Sequence, residues 1–110
     1  MNPKTRNLLE KILLFAKKTH ERMKCVSLDT FLSDEFLQDA VLYCLGQIGE
    51  TASNIPDDEQ EKYPAVFWNQ MISLRHRIFH DYEALNFSII YEITQKPIEN
   101  LIQIINDILR

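Results

Sequence analysis

The sequence has little of the two residues that most often interrupt helices. Its 110 residues include only two glycines, Gly46 and Gly49, and four prolines. Sheet proteins built from many short strands need frequent tight turns, which glycine and proline usually supply. The composition therefore argues against a sheet protein and favours a small number of long helices.

The sequence also lacks an excess of positive charge and any long apolar run. Its formal net charge is −4, which argues against a broad electrostatic grip on nucleic acid but leaves room for a small basic cleft. No apolar stretch approaches the length that spans a bilayer. Residues 1–6 lead into an amphipathic segment without a signal-peptide cleavage site, so we expect a cytoplasmic protein with no membrane partner.

Cysteine is scarce as well. Cys25 and Cys44 are the only two, and they do not have the C-x-x-C spacing of redox or metal motifs. Free cysteine behaves as a small hydrophobe and persists in reducing compartments. We therefore expect both thiols to be buried and unpaired.

Apolar residues at helical spacing predict four major helices and a short fifth one. We expect them over residues 5–23, from a cap at Asp29 or Ser33 to just before Pro56, from Pro64 onward, over residues 87–94, and from Pro97 onward. Gly46 and Gly49 fall inside the second helix, where they predict a tight crossing with another helix. Amphipathic helices joined by short links bury their stripes together, so residues 1–110 are predicted to form one all-α domain, an antiparallel bundle of four to five helices.

The side chains that can carry chemistry are concentrated in residues 75–82. Four cationic or potentially cationic side chains lie within six residues there: Arg75, His76, Arg77 and His80. Arginine offers phosphate oxygens a planar fork of N–H donors, and histidine exchanges protons near neutral pH. Such a group can cleave RNA without a metal ion. A histidine would activate the ribose 2′-hydroxyl or protonate the leaving 5′-oxygen, and arginine would stabilise the developing negative charge.

The spacing of these residues favours a symmetric assembly. Arg75 and His80 are five residues apart, which places them on different sides of an ideal helix. Two copies that face one another across a dimer axis would form a cleft more naturally than a single copy. We expect His80 near the C-terminus of its helix, where the helix dipole favours the imidazolium form.

Simpler interpretations of the segment stay open. Arginine and histidine at a helix end are often structural, and Arg77 and Asp81 have the spacing of an ordinary exposed ion pair. His76 and His80 also have the spacing of a metal-binding pair. A third ligand beyond Asp81 is missing, and so is the H-E-x-x-H pattern, so we expect neither a metal ion nor another cofactor.

Aromatic residues near the segment allow two interpretations. Phe67, Trp68 and Phe79 have flat faces on which RNA bases can stack. At their helical spacing, aromatic side chains more often belong to the core, because they carry a large apolar area. We favour the core interpretation and expect Ile78 and Phe79 to anchor the segment.

From Arg75 to Tyr82 the segment reads R-x-x-x-x-H-x-Y, which resembles the signature of HEPN-domain ribonucleases, specifically the HepT-like toxins of bacterial toxin–antitoxin pairs. The resemblance extends along the chain to Asp39-Ala40-Val41, Leu45, Ile48, Gly49, Glu50, Tyr63-Pro64, Trp68 and Met71. Glu50 matches a family position, but the sequence does not indicate its role.

The resemblance implies a HEPN-like homodimer in which Arg75 and His80 are the catalytic pair. His76 stands where the family commonly has asparagine, so its supporting role is either orientation or proton transfer. Tyr82 matches the tyrosine to which a nucleotidyltransferase antitoxin attaches AMP. An added phosphodiester and adenine would repel RNA phosphates and occupy the cleft.

The leading hypothesis is therefore a metal-independent endoribonuclease toxin that cuts tRNA or mRNA and is neutralised by a nucleotidyltransferase antitoxin. The alternative is a non-catalytic helical module that binds a nucleotide or a protein. A third hypothesis is a purely structural assembly partner.

Overall fold

The computed structural model describes all 110 residues and contains helices and turns but no strand. The helices are α1 (Pro3–Met23), α2 (Leu28–Leu32), α3 (Glu35–Ser53), α4 (Asp57–Gln60), α5 (Trp68–His80), α6 (Phe87–Ile93) and α7 (Lys96–Leu109). A single 3-10 turn at Tyr82–Ala84 separates α5 from α6. The four long helices and the short α6 match the predicted elements, so the all-α class is confirmed. None of the helices is both long and apolar enough to cross a membrane.

Local capping explains where α3 begins. The side chain of Asp34 accepts a hydrogen bond from the backbone N–H of Leu37 in the first turn of α3, as an N-cap residue does. The predicted cap at Asp29 or Ser33 was therefore wrong. Both residues lie in or directly after α2, a separate short helix that Ser27 caps.

The predicted start of the third helix at Pro64 was also wrong, because α5 begins at Trp68. The indole N–H of Trp68 lies 3.1 Å from the backbone carbonyl oxygens of both Gln60 and Tyr63. These bonds tie the first residue of α5 to the preceding turns, so the chain stays non-helical for several residues after Pro64. The same polar link holds α4, which the apolar pattern did not predict.

The long helices run antiparallel to their neighbours. Helix α3 packs against α1 and α5, and α1 also packs against α7. Glu50, near the end of α3, contacts Arg75 within α5, whereas Asp39, near the start of α3, contacts Tyr82 beyond the end of α5. The side chain of Arg6, near the start of α1, donates to the backbone carbonyl of the last residue of α7. The predicted antiparallel bundle is confirmed.

One hydrophobic core of 21 buried residues joins the helices. The predicted apolar stripe of α3 faces this core, and its buried members include Val41, Cys44, Leu45, Ile48 and Ala52. Helix α3 is the central helix of the bundle because α1 and α5 both pack against it and bury its apolar stripe.

The two cysteines have different environments. Cys44 is buried, as predicted, but Cys25 is exposed, so that part of the prediction was wrong. Cys25 has a φ of 65°, which places its backbone in the left-handed region, in the turn after α1. This turn keeps the thiol out of the core although Met23 and Val26 lie close to it in the sequence.

Candidate functional site

The segment from Arg75 to Tyr82 lies where α5 crosses α3, and two glycines of α3 allow the crossing. A Cβ atom on Gly49 would lie 2.4 Å from the Cβ of Arg75 and 2.5 Å from the backbone carbonyl oxygen of Met71. A Cβ on Gly46 would lie 3.4 Å from the ring of Phe79, which is ordinary contact. The predicted tight crossing is therefore confirmed, and Gly49 is its point of closest approach.

Three features define the environment of the Arg75 side chain. Its Nη2 lies 2.7 Å from Oε2 of Glu50, in an ion pair whose two side chains are 35% and 40% exposed. Its guanidinium carbon lies 5.1 Å from the centroid of the Phe79 ring, within the range of a cation–π contact. Its Nε is buried and has no hydrogen-bond acceptor. The sequence alone gave Glu50 no role, and Gly46 and the adjacent Gly49 were the signal that another helix comes close.

The two histidines of the segment lie next to each other on α5, with their rings tilted. The centroids of the His76 and His80 rings lie 4.5 Å apart with an interplanar angle of 40°, as expected for residues one turn apart. Both side chains are exposed. His80 is the last residue of α5, which confirms its predicted place at the helix C-terminus.

Arg75 and His80 make separate sets of contacts within one chain. Arg75 contacts Glu50 and Phe79, whereas His80 contacts His76. A separation of five residues corresponds to about 140° around a helix axis. One copy of the chain therefore presents the two side chains in different directions.

Two structural predictions for the segment were wrong. Ile78 is buried as expected, but Phe79 is 59% exposed and lies outside the core. Asp81 contacts Arg77 through its backbone N–H, which lies 2.8 Å from the Arg77 carbonyl oxygen, and the predicted ion pair between their side chains is not formed. The guanidinium of Arg77 therefore has no acidic partner.

Tyr82 is connected to α3 by its hydroxyl group. The hydroxyl donates to Oδ1 of Asp39 at 3.2 Å, and the ring meets Phe87 edge-on, with 6.4 Å between centroids. Partial burial, the nearby charge of Asp39 and this hydrogen bond raise the pKa of Tyr82, with a smaller contribution from Glu35. The side chain is 47% exposed. The phenol is thus neutral at neutral pH and accessible from solvent.

Large aromatic side chains surround the segment on the outer surface of the bundle. On α3, residues 36, 39, 43, 46 and 50 recur at spacings of three and four, which places them on one face of the helix. The exposed fractions are 91% for Phe36, 62% for Tyr43, 59% for Phe79 and 47% for Tyr82. We refer to Phe36, Tyr43 and Phe79 as the aromatic face. Exposed apolar patches of this kind usually mark a binding surface.

The structure contains no group of three or more histidine, cysteine, aspartate or glutamate side chains arranged to hold a metal ion. The side chains that the site offers for chemistry are thus the permanently charged guanidinium of Arg75, two exposed imidazoles and one phenol. Such groups can bind phosphate, exchange protons and accept a covalent modification.

Comparison with known proteins identifies the family of the chain. Residues 9–108 match the family model described as "Ribonuclease HepT-like". The protein named "Putative RNase MJ0127" from Methanocaldococcus jannaschii is 38% identical over 85 residues, which are 77% of this chain and 70% of that protein. The protein named "Putative RNase TTE0752" from Caldanaerobacter subterraneus subsp. tengcongensis is 33% identical over 105 residues, 96% of this chain and 94% of that protein. No solved structure matches the chain.

Proposed function

This chain belongs to the HepT-like ribonuclease family, and we propose that it is an endoribonuclease that cuts RNA without a metal ion, with Arg75 and His80 as its catalytic residues. In the reaction, a base removes the proton of a ribose 2′-hydroxyl and the 2′-oxygen forms a bond to phosphorus. The bond to the 5′-oxygen breaks as an acid gives that oxygen a proton. The products are a 2′,3′-cyclic phosphate and a 5′-hydroxyl.

Each catalytic residue has a separate part in this reaction. The guanidinium of Arg75 stabilises the negative charge that develops on the phosphate oxygens. The imidazole of His80 exchanges a proton with one of the two ribose oxygens. His76, whose ring lies beside that of His80, is in a position to orient it or to share in the proton transfer.

The observation that carries the proposal is the way in which the bundle presents the motif. Glu50 and Phe79 hold Arg75 at the surface, while both histidine rings stay exposed to substrate. This exposure supports the proposal, because an RNA phosphate needs access to the imidazoles.

A homodimer accounts for the different directions of Arg75 and His80. We propose that two copies associate through the aromatic face, because large exposed aromatic side chains gain most from burial between subunits. Each copy then contributes its motif to one shared cleft. The second copy also supplies a second His80, so that one can act as base and the other as acid.

The direct experiment is to incubate purified protein with total RNA in EDTA, alongside Arg75→Ala and His80→Ala variants. Circular dichroism checks that all three proteins are folded. We expect cleavage by the wild-type protein alone. Cleavage by both variants at the wild-type rate would exclude Arg75 and His80 as catalytic residues. Absence of cleavage, when intact mass shows that Tyr82 carries no modification, would contradict the proposed activity.

We propose further that the protein acts in the cytoplasm as the toxin of a toxin–antitoxin pair, cutting tRNA or mRNA. A nucleotidyltransferase antitoxin would neutralise it by transferring AMP from ATP: the Tyr82 oxygen loses its proton and bonds to the α-phosphorus as the bond to the β-phosphate breaks and pyrophosphate leaves. The exposure of Tyr82 supports this, since a modifying enzyme needs access to the phenol. The test is to add ATP, Mg²⁺ and a nucleotidyltransferase encoded beside this chain. A mass increase of one AMP group on wild type but not on Tyr82→Phe, with loss of cleavage, is the expected result.

A second candidate function is a binding module that holds a nucleotide or a protein and breaks no bond. The net charge of −4 and the pairing of Arg75 with Glu50 favour it, because both weaken attraction for RNA. Saturable binding of RNA or nucleotide, with the ligand recovered unchanged, would support this function.

A further inference from the structure

Glu50 is the residue of the site whose role the sequence leaves unexplained. It lies on α3 directly after Gly49, where α3 and α5 approach each other most closely. Its carboxylate lies 2.7 Å from the guanidinium of Arg75 on α5. The ring of Phe79 lies 5.1 Å from the guanidinium carbon of Arg75. The guanidinium is therefore held by a carboxylate and by an aromatic ring.

Folding stability does not explain this arrangement. An ion pair whose members are more than a third exposed adds little to stability, because water screens it and two long side chains lose freedom. The Nε–H of Arg75 is moreover buried without an acceptor, which is unfavourable for folding. A contact that costs some stability and stabilises little suggests a functional reason.

We propose that Glu50 and Phe79 are positioning residues that fix the guanidinium of Arg75 for a phosphate of RNA, an inference that rests on the proposed ribonuclease function. The Glu50 carboxylate pairs with Nη2, and the buried Nε holds the inner edge of the guanidinium. Nη1 has no partner in the chain and is not enclosed, so it is the donor that stays available to phosphate. A guanidinium already held in place loses little freedom when the negative charge develops.

The inference separates two effects that Glu50 has on the reaction. Its carboxylate repels RNA phosphates, so it does not bind substrate and acts only through Arg75. Its Oε2 also lies 2.7 Å from Nη2, and this ion-pair contact orients the guanidinium. Loss of the charge should tighten RNA binding and lower KM, whereas loss of the contact should lower kcat.

Two substitutions at one position distinguish these effects. Glu50→Gln removes the charge but keeps an oxygen acceptor of the same reach, and Glu50→Ala removes both. Steady-state cleavage of a defined RNA gives kcat and KM for each variant. We expect kcat of Glu50→Ala to fall by about 10- to 100-fold, as for a misplaced reacting group, while Glu50→Gln keeps most of kcat with a lower KM.

Glu10→Ala is the matched control. Glu10 forms an exposed ion pair with Arg6 at 3.3 Å on α1, comparable in exposure but outside the motif, and its removal should change neither kcat nor KM. Phe79→Leu keeps apolar bulk but removes the ring face, and should lower kcat while circular dichroism and light scattering show that the fold and the dimer are retained. A Glu50→Ala variant that keeps the wild-type kcat would overturn the inference. So would a Glu50→Gln variant whose kcat falls as far as that of Glu50→Ala.

A measurement without RNA distinguishes failure of this inference from failure of the proposed function. Nitrogen NMR of the Arg75 guanidinium reports how freely the group rotates. We expect separate, slowly exchanging Nη signals in wild type and Glu50→Gln, and averaged signals in Glu50→Ala. If wild type fails to cut RNA, the proposed function fails, while these spectra still decide whether Glu50 holds Arg75. Averaged signals in the wild type would overturn the positioning role.

Discussion

The α-carbon of Gly49 lies so close to Arg75 that an added methyl group would stand 2.4 Å from the Arg75 Cβ. Both atoms would belong to short, rigid parts of their residues, so rotation of a side chain cannot relieve the overlap. The backbones of α3 and α5 would have to separate. The crossing that brings Glu50 to Arg75 thus depends on the absence of a side chain at one position.

We predict that Gly49→Ala destabilises the protein by about 1–3 kcal/mol, the usual cost of overpacking. Gly46→Ala is the control, because its Cβ would make an ordinary contact at 3.4 Å with the Phe79 ring. Removal of a helical glycine there should leave stability unchanged or raise it by up to about 1 kcal/mol. Urea unfolding of both variants gives the two free energies. A Gly49→Ala protein as stable as Gly46→Ala would contradict the crossing described above.

The two neighbouring histidines of α5 are predicted to differ in their effect on cleavage. His80→Asn should lower kcat by about 10²- to 10⁴-fold, the range for loss of a general acid or base. His76→Asn should cause a much smaller decrease, because an amide can still orient its neighbour although it cannot exchange a proton. Cleavage rates of the two variants, compared at equal folded concentration, provide the test. Equal losses would mean that the 4.5 Å pair transfers protons as one unit.

The spacing of apolar residues predicted the helix bundle well, because each helix carries its own apolar pattern. Apolar residues that recur along one helix, such as Val41, Leu45 and Ile48 of α3, bury their shared face wherever the other helices lie. Helix ends were less predictable. The start of α5 depends on bonds from the Trp68 indole to two backbone carbonyls, which the pattern of apolar residues does not contain.

The candidate site was predictable only in part, for a similar reason. The motif from Arg75 to Tyr82 is contiguous, so it could be found in the sequence. Its partners Glu50 and Asp39 lie on another helix and meet it only through tertiary packing. Phe79 was assigned to the core because spacing alone cannot distinguish an aromatic residue that packs inward from one that covers an arginine on the surface.

The environment of Tyr82 predicts how its phenol titrates. Partial burial and the adjacent Asp39 carboxylate raise the pKa of Tyr82 above 10.0, because a negative phenolate is less favourable there. Asp39→Asn removes the negative neighbour and should lower this pKa toward the ordinary value, while the contribution of burial stays. Tyrosinate absorbance against pH, with Tyr82→Phe to identify the signal, measures the change. An unchanged titration in Asp39→Asn would show that Asp39 has no electrostatic effect on Tyr82.

The buried carboxylate of Glu59 predicts a loss of stability in acid. Lys62 and then Thr5 lower the pKa of Glu59 below 4.5 by hydrogen bonds, the latter through the Thr5 hydroxyl at 2.9 Å. The unfolded chain therefore binds this proton at a higher pH than the folded protein does. The stabilisation is present above the unfolded pKa and is lost as the pH falls through the lower folded pKa.

Glu59→Gln should accordingly be less stable than wild type at neutral pH, and its stability should vary less in the acidic range. Thermal unfolding at a series of pH values measures both effects. Glu10→Gln, which changes an exposed carboxylate on α1, provides the comparison and should follow the wild-type curve. Parallel curves for Glu59→Gln and wild type would contradict the coupling of Glu59 to folding.

The aromatic face predicts which surface joins two copies of the chain. Phe36 is 91% exposed and lies in the first turn of α3, where a negative side chain suits the positive end of the helix dipole. Phe36→Glu should therefore preserve the fold while removing apolar area from the face. We expect wild type to be a dimer by light scattering, and Phe36→Glu to be monomeric with reduced cleavage, because one copy presents Arg75 and His80 in different directions.

Leu14→Glu is the control for this prediction, since Leu14 is 50% exposed on α1 and outside the aromatic face. The substitution removes a comparable apolar surface and adds the same charge, and Lys17 and Lys18 are spaced to pair with it along the helix. Leu14→Glu should remain dimeric and active. If it dissociates while Phe36→Glu stays paired, the copies associate through another surface. If the wild type cuts RNA as a monomer, one motif is sufficient and the shared cleft is wrong.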